Sequence, residues 1–171
     1  MQAYVDLDGV LPKDCIMRIY RDVRFSKDKS PYKTNFGAAI GAGGKRSTKV
    51  PFFVHIQPGN RSALMAGLHS PSPEQLAKWR RSIDENPIPL TRILNGAEFK
   101  KVFGELWGEK LSRPPRGFAP DHPHAEMLKL KQFAAVHGVR DPDVLSSKFA
   151  EESARVLKAA MPFLDFLSSV V

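Results

Sequence analysis

Basic side chains are concentrated in residues 18–49 of the 171-residue chain. This segment holds nine lysines and arginines and two acids, a net charge of +7, while the whole chain carries +8. Guanidinium and ammonium groups form charge-assisted hydrogen bonds with phosphates and carboxylates. The segment therefore indicates an anionic partner, which could be a phosphate group, a nucleic acid or an acidic protein surface. A solvated, solubilising surface is the alternative that needs no partner.

The densest part of this segment is residues 18–33, Arg-Ile-Tyr-Arg-Asp-Val-Arg-Phe-Ser-Lys-Asp-Lys-Ser-Pro-Tyr-Lys. Its carboxylates, Asp22 and Asp28, can each orient an arginine and leave other basic groups for a ligand. We therefore predict that the arginines of residues 18–24 contact these carboxylates rather than extend freely into solvent. The candidate ligand-binding residues are Arg18, Arg21, Arg24, Lys27, Lys29, Tyr32 and Lys33, with Arg80 and Arg116 as outer candidates.

Few residues could act as catalytic groups. His55 and Asp22 are the candidates for acid–base catalysis, although a half-buried histidine with satisfied hydrogen bonds is the more usual outcome in a strand. The one cysteine, Cys15, has apolar neighbours and is expected to be a buried, unreactive thiol. The chain also lacks the Gly-x-Ser-x-Gly motif of a nucleophile elbow.

Two motifs resemble ligand sites but do not complete them. The Gly-Lys pair at residues 44–45 lacks the first glycine and the hydroxyl residue of a phosphate-binding loop, so residues 37–44 are expected to be a flexible connection. Residues 121–124, Asp-His-Pro-His, could supply metal ligands, but the proline restricts the histidines and no second cluster accompanies them. Asp121 is better explained as a helix cap. The sequence therefore predicts neither a metal site nor a cofactor.

The hydrophobic patterns predict an α+β fold in a single domain, residues 1–171, with a small, largely antiparallel sheet covered by helices. Strands are predicted at residues 16–25, 52–57 and 128–133. Ser72, Pro73 and Gln75 begin a helix that buries Trp79 and that Pro87 ends. Further helices are predicted at residues 90–94, at 97–103 and from Asp141, the last with Leu145, Phe149, Val156 and Ala160 on its apolar face.

The composition is typical of a globular protein, with 42% hydrophobic and 26% charged residues. A single cysteine excludes an internal disulfide framework. The chain has no apolar stretch near the roughly 20 residues that span a bilayer, and its first residues lack the pattern of a signal peptide. We therefore expect an intracellular protein, cytoplasmic or nuclear, with no membrane partner.

Four segments of the sequence resemble the signature of the domain-of-unknown-function family numbered 2461 (DUF2461), found in bacteria and fungi. They are residues 18–33, the Phe-Val-His-Ile-Gln-Pro-Gly strand at 53–59, the Trp-Arg pair at 79–80, and residues 113–123 with Arg-Pro-Pro-Arg-Gly-Phe and Asp-His-Pro. The resemblance implies the boundaries of the fold but no activity. From the family pattern we expect a further N-terminal helical segment that this sequence does not include. The glycine-rich stretch of the pattern is reduced to Met-Ala-Gly-Leu at residues 65–68.

The leading functional hypothesis is binding of an anionic, phosphate-bearing ligand through the basic segment 18–49, the ligand being a nucleic acid or a phosphorylated metabolite. One alternative is an enzyme that acts on a small anionic substrate, with His55 or Asp22 as the acid or base. Another is a scaffold that binds an acidic protein. An enzyme requires a titratable side chain in a closed cleft, whereas a nucleic-acid binder requires an open basic surface.

Overall fold

The computed structural model describes residues 7, 9–24, 27–46 and 50–170. The strands are β1 (Phe36–Ile40), β2 (Phe52–Ile56), β3 (Ser62–Leu68) and β4 (Phe133–Val139). The helices are α1 (Pro12–Cys15), α2 (Pro73–Glu85), α3 (Ile88–Asn95), α4 (Ala97–Phe103), α5 (Ala125–Leu128), α6 (Asp141–Val144) and α7 (Phe149–Val170), and a 3₁₀ turn spans Gly44–Arg46. These elements confirm the predicted α+β class.

The four strands are antiparallel and follow the order β1-β2-β3-β4 across the sheet. The predicted strand at residues 52–57 is confirmed as β2, which a short turn connects to β3. Gly59 and Asn60 in this turn have φ angles of 84° and 57°, a backbone region that glycine and asparagine tolerate best. The Asp141 carboxylate accepts hydrogen bonds from both of their amides, at 2.8 and 2.9 Å, and thereby ties the turn to α6.

One face of the sheet forms the protein core with the helices. Side chains alternate between the faces of a strand, so Phe52, Leu64, Phe133 and Ala135 point together toward the core, and each is at most 2% exposed. Helices α2, α3, α4 and α7 supply the other side of this core. Trp79 of α2 is fully buried there, which confirms its predicted position.

The sequence signals for α2 also prove correct. The Ser72 hydroxyl accepts from the Gln75 amide at 3.2 Å, and the Gln75 side chain accepts from the Ser72 amide at 2.9 Å, as a capping box requires. The helix ends at Glu85, before Pro87. Helix α3 extends the predicted 90–94 segment at both ends, and α4 has the predicted bounds.

Residues 16–25 do not form the predicted strand. Within residues 16–24 the β-pairing consists of two isolated bridges, from Ile16 to Ala38 and from Tyr20 to Tyr32. Phe25, the last residue of the predicted strand, lies outside the described residues, as do Ser26 and Lys49. The first strand is instead β1, in the segment predicted as a flexible connection. Glycine suits position 37 of this strand, because a Cβ atom there would lie 2.7 Å from the Phe53 ring, which is too close for two carbon atoms.

The prediction of a strand at residues 128–133 is also wrong. Helix α5 occupies the start of this segment, and β4 begins only at Phe133. Leu128 and Leu130 are both buried, but they lie at the end of a helix and at an isolated bridge rather than in a strand. Asp121 is not the predicted helix cap, because α5 begins after His124 and no side chain caps it.

The predicted final helix consists of two separate helices. The single turn of α6 is followed by a break, and α7 begins at Phe149. Leu145 in this break is 85% exposed and does not contribute to an apolar face, whereas Phe149, Val156 and Ala160 pack in or against the core. Pro162 lies inside α7. Across the described ranges, no helix combines the length and the apolarity needed to cross a membrane.

Candidate functional site

The basic segment folds into an irregular two-armed ribbon beside β1. We call residues 16–24 and 27–35 the basic ribbon. Its arms run antiparallel, with the Lys33 amide donating to the Ile19 carbonyl at 2.9 Å, and the Met17 amide donating to the Gly37 carbonyl of β1 at 2.8 Å. Seven of the nine predicted ligand-binding residues lie on this ribbon, namely Arg18, Arg21, Arg24, Lys27, Lys29, Tyr32 and Lys33.

Both aspartates of the ribbon contact arginines, as predicted. Arg21 Nη1 lies 3.0 Å from Asp28 Oδ2, and Arg24 Nη2 donates to Asp22 Oδ2 at 2.7 Å. The hydrogen bonds from Arg24 hold the pKa of Asp22 below its usual range. The pKa of Asp28 is lowered mainly by the backbone amide of Ser30. The two carboxylates are therefore ionised near neutral pH and fix the directions of two guanidinium groups.

The remaining basic groups of the ribbon lie at the surface. The Arg18 side chain is 66% exposed and stands 3.7 Å from Asp22, which is a weak ion pair. Lys29 Nζ donates to a backbone carbonyl of the ribbon at 2.7 Å. Lys27 and Lys33 are exposed. These side chains therefore place positive charge at the exposed surface of the ribbon.

Aromatic rings accompany these charges. Tyr20 and Tyr32 face each other across the two arms, with ring centroids 5.5 Å apart and an interplanar angle of 32°. They are 58% and 54% exposed, and Phe36, at the beginning of β1, is 63% exposed. Exposed rings beside positive charges are a platform on which nucleic-acid bases can stack. The ribbon therefore combines exposed aromatic rings with exposed basic side chains.

The outer candidate Arg80 is engaged in the fold. Its Nε and Nη2 atoms donate to the carbonyls of Leu128 and Leu130, both at 2.9 Å. Burial lowers the pKa of its guanidinium from the ordinary value. These bonds satisfy two carbonyls at the end of α5 and give Arg80 a structural role. Arg116 is exposed in the loop before α5, and its role in binding stays a prediction.

A cleft of about 620 Å³ lies on the face of the sheet opposite the core. Strand β3 lines it with Ala63, Met65 and Gly67, and β4 lines it with Ala134 and Val136. These residues alternate along their strands with the core residues, so both strands present a second apolar face. The volume falls within the range of about 300–1,000 Å³ that is usual for small-ligand sites.

His55 lies in this cleft and is held on both sides of its ring. Asn35, at the end of the basic ribbon, donates from Nδ2 to His55 Nδ1 at 3.3 Å. His55 Nε2 in turn donates to Gln57 Oε1 at 2.9 Å. Both ring nitrogens of this half-buried histidine therefore have partners within the protein, and these partners fix the orientation of the ring. The role of His55 as an acid or base stays a prediction.

The far end of the cleft is formed by an aromatic pair that sequence reasoning missed. Trp107 and His69 stack with centroids 5.2 Å apart and an interplanar angle of 28°. The Trp107 amide donates to the Ala134 carbonyl at 2.7 Å, which continues the sheet beyond β4. Trp107 is 47% exposed. A tryptophan followed by Gly-Glu-Lys is the sequence signal that could have drawn attention to it.

The other sequence candidates have ordinary structural roles. His122 Nε2 donates to Asp84 Oδ1 at 3.0 Å, and His122 Nδ1 accepts from the His124 amide at 3.0 Å. Cys15 is half-buried, and burial raises the pKa of its thiol. A raised pKa disfavours the nucleophilic thiolate, as expected of an unreactive cysteine, although the side chain is not fully buried as the sequence predicts.

Comparisons with known proteins place the chain in a family. No curated protein and no solved structure shows significant similarity to it. Residues 2–166 match the family described as conserved hypothetical protein (DUF2461), which covers nearly the whole chain. The basic ribbon, the β2 strand and the residues around Trp79 all lie inside the matched range. The protein therefore belongs to the DUF2461 family.

Proposed function

We propose that the protein binds a phosphate-bearing ligand along the basic ribbon, and that single-stranded nucleic acid is the form of ligand the ribbon suits best. The observation that carries the proposal is the exposed Tyr20–Tyr32 pair among basic side chains. Backbone phosphates would meet lysine and arginine, while a base would stack on a tyrosine ring. The ribbon has six basic and two acidic residues, a net charge of +4.

The internal ion pairs support this proposal. A flexible arginine loses side-chain entropy when it binds a phosphate, and this loss weakens the interaction. Asp28 fixes Arg21, whose side chain is 24% exposed, and Asp22 fixes Arg24. Part of the ordering cost is therefore met when the ribbon folds, and the exposed lysines add positive charge around the fixed groups.

The shape of the ribbon favours an extended ligand over a small one. Its lysines, its tyrosines and most of its arginines are exposed along two arms rather than gathered in an enclosed pocket. An enzyme acting on a small anion would need an available acid or base in a closed site. The two residues considered for that role are engaged, because His55 has partners on both nitrogens and Asp22 accepts from Arg24.

The salt dependence of binding tests the proposal. A fluorescently labelled oligothymidylate should bind the protein with a log K that falls with log salt at a slope of about −3, if about four phosphates are neutralised. Replacing Lys27 and Lys33 together with alanine should reduce this slope to about −1.5, because two of those contacts are lost. Fluorescence anisotropy across a series of salt concentrations measures both values.

The controls separate charge from stacking and from unfolding. The double variant Lys100→Ala/Lys101→Ala changes two exposed lysines on α4 and should leave the slope unchanged. Tyr32→Ala should weaken binding roughly tenfold or more without changing the slope, whereas Tyr32→Phe should bind like the wild type. Absence of oligonucleotide binding at low salt would overturn the nucleic-acid proposal. Binding of a poly-glutamate peptide in its place would support the scaffold alternative.

A further inference from the structure

We infer that the cleft opposite the core is a second binding site, and that it takes an elongated amphiphilic anion, an apolar chain that ends in a carboxylate. This inference goes beyond the proposed function because the cleft is lined by residues that are not part of the basic ribbon. The length of the cleft, its apolar middle and the position of its charge all favour such a ligand.

The length follows from the geometry of β3. Met65 of β3 lines the cleft, as do Arg61 and His69, which directly precede and follow this strand. At about 3.3 Å per residue, the eight steps from Arg61 to His69 span roughly 26 Å. The cleft is therefore a trough that runs along the strand, which suits an extended chain better than a compact ring system.

The middle of the trough is apolar and has a smooth floor. Phe53, Met65 and Val136 lie at one level across three neighbouring strands, since Phe53 pairs with Met65 and Met65 pairs with Val136. Gly67 and Ala134 form the next cross-strand pair. Neither has a large side chain, so the cleft has space at this pair, next to Trp107. Methylene groups gain most from contact with such surfaces, because the contact removes apolar area from water.

The charge of the trough is asymmetric. No aspartate or glutamate is among the described residues that line it. Arg61 stands at one end, where its Nε donates to the Pro58 carbonyl at 3.1 Å and orients the guanidinium. The terminal nitrogens of an arginine held in this way can receive both oxygens of a carboxylate. The opposite end has the Trp107–His69 stack, an aromatic surface suited to the end of the chain.

Trp107 provides a direct measurement of binding. Trp79, the other tryptophan, is fully buried and hydrogen-bonded, so Trp107 is the one that a molecule entering the cleft would contact. Titration with dodecanoate, below the concentration at which it forms micelles, should change the tryptophan emission saturably with one molecule bound per chain. Hexanoate should bind at least tenfold more weakly, because its chain covers less of the trough.

Two variants test the charge and the space separately. Arg61→Gln should weaken dodecanoate binding about tenfold. It should not weaken the binding of dodecyltrimethylammonium, a cation with the same chain, because the variant removes a like charge. Ala63→Leu should narrow the trough near Arg61 and weaken the binding of dodecanoate, whereas Ala77→Leu, at an exposed position on α2, should not. Circular dichroism of each variant shows whether it is folded, and calorimetry gives a second measure of affinity.

The outcomes also separate this site from the ribbon. The Lys27→Ala/Lys33→Ala variant should bind dodecanoate like the wild type, whatever its affinity for an oligonucleotide. Equal affinity for dodecanoate and dodecyltrimethylammonium would overturn the inference, as would full binding by a folded Ala63→Leu variant. A second copy of the chain seated on the cleft would give a dimer in light scattering with Trp107 protected from iodide quenching. That result would overturn the inference too.

Discussion

Replacing Trp79 with alanine is expected to lower the free energy of unfolding by about 3–5 kcal/mol. The indole is fully buried between α2, α7 and the sheet. Its ring lies 5.0 Å from the ring of Phe133, and its Nε1 donates to the Leu167 carbonyl at 3.0 Å. Alanine would leave a cavity that rigid neighbours cannot fill, and it would leave a buried carbonyl without its donor.

Denaturant unfolding followed by circular dichroism measures this loss. The matched control is Trp107→Ala, because Trp107 is 47% exposed and its removal should cost about 1 kcal/mol or less. An unfolding midpoint for Trp79→Ala equal to that of the wild type would show that the interior of the domain is packed differently. So would a larger loss for Trp107→Ala than for Trp79→Ala.

Replacing Gly67 with alanine is expected to destabilise the protein by about 3 kcal/mol, although the change adds only a methyl group. Gly67 has a φ of 106°, which L-residues rarely adopt. An added Cβ would also collide with the carbonyl oxygen of Phe133 on β4. The substitution must therefore either distort the backbone of β3 or push β3 and β4 apart at one end of their pairing.

Gly138→Ala is the control for this prediction. Gly138 lies on β4, its φ is not positive, and a Cβ placed there has no atom within 4 Å. Alanine at this position should be neutral or slightly stabilising, since it reduces the freedom of the unfolded chain. Thermal unfolding of the two variants side by side makes the comparison. Equal midpoints would contradict the strain assigned to Gly67.

Local signals in the sequence predicted local structure well. The Ser72–Gln75 capping box and Pro87 placed α2 within a residue or two, because both act through backbone hydrogen bonds close in sequence. The arginine–aspartate contacts were predicted on the same grounds, since Asp22 and Arg24 are two residues apart. Such interactions depend little on the rest of the fold.

The strands were harder to predict because their partners are distant in sequence. Residues 16–24 alternate like a strand but obtain only isolated bridges, since the neighbouring arm of the ribbon is too irregular to form a ladder. Strand β3, Ser-Ala-Leu-Met-Ala-Gly-Leu, contains the small residues that are rare in strands. It is nevertheless a central strand, because β2 and β4 pair with it on both sides.

The cleft could not be predicted from the sequence for the same reason. Its lining comes from β2, β3 and β4 and from Trp107, which sequence alone does not place together. Single residues such as Ala63 or Ala134 carry no chemical signal, and only the sheet makes them the floor of a trough. The basic ribbon, by contrast, is evident because its basic residues lie close together in the sequence.

The order of the strands has a consequence for synthesis of the chain. The turn between β2 and β3 contains five residues, 57–61, whereas residues 69–132, 64 in number, separate β3 from β4. At about 5–20 residues per second, a ribosome needs roughly 3–13 s to add that segment. Hairpins form in about 1–10 μs, so β2 and β3 can pair long before β4 exists. For those seconds the outer edge of β3 has no strand to pair with, and it is open to pairing with another chain.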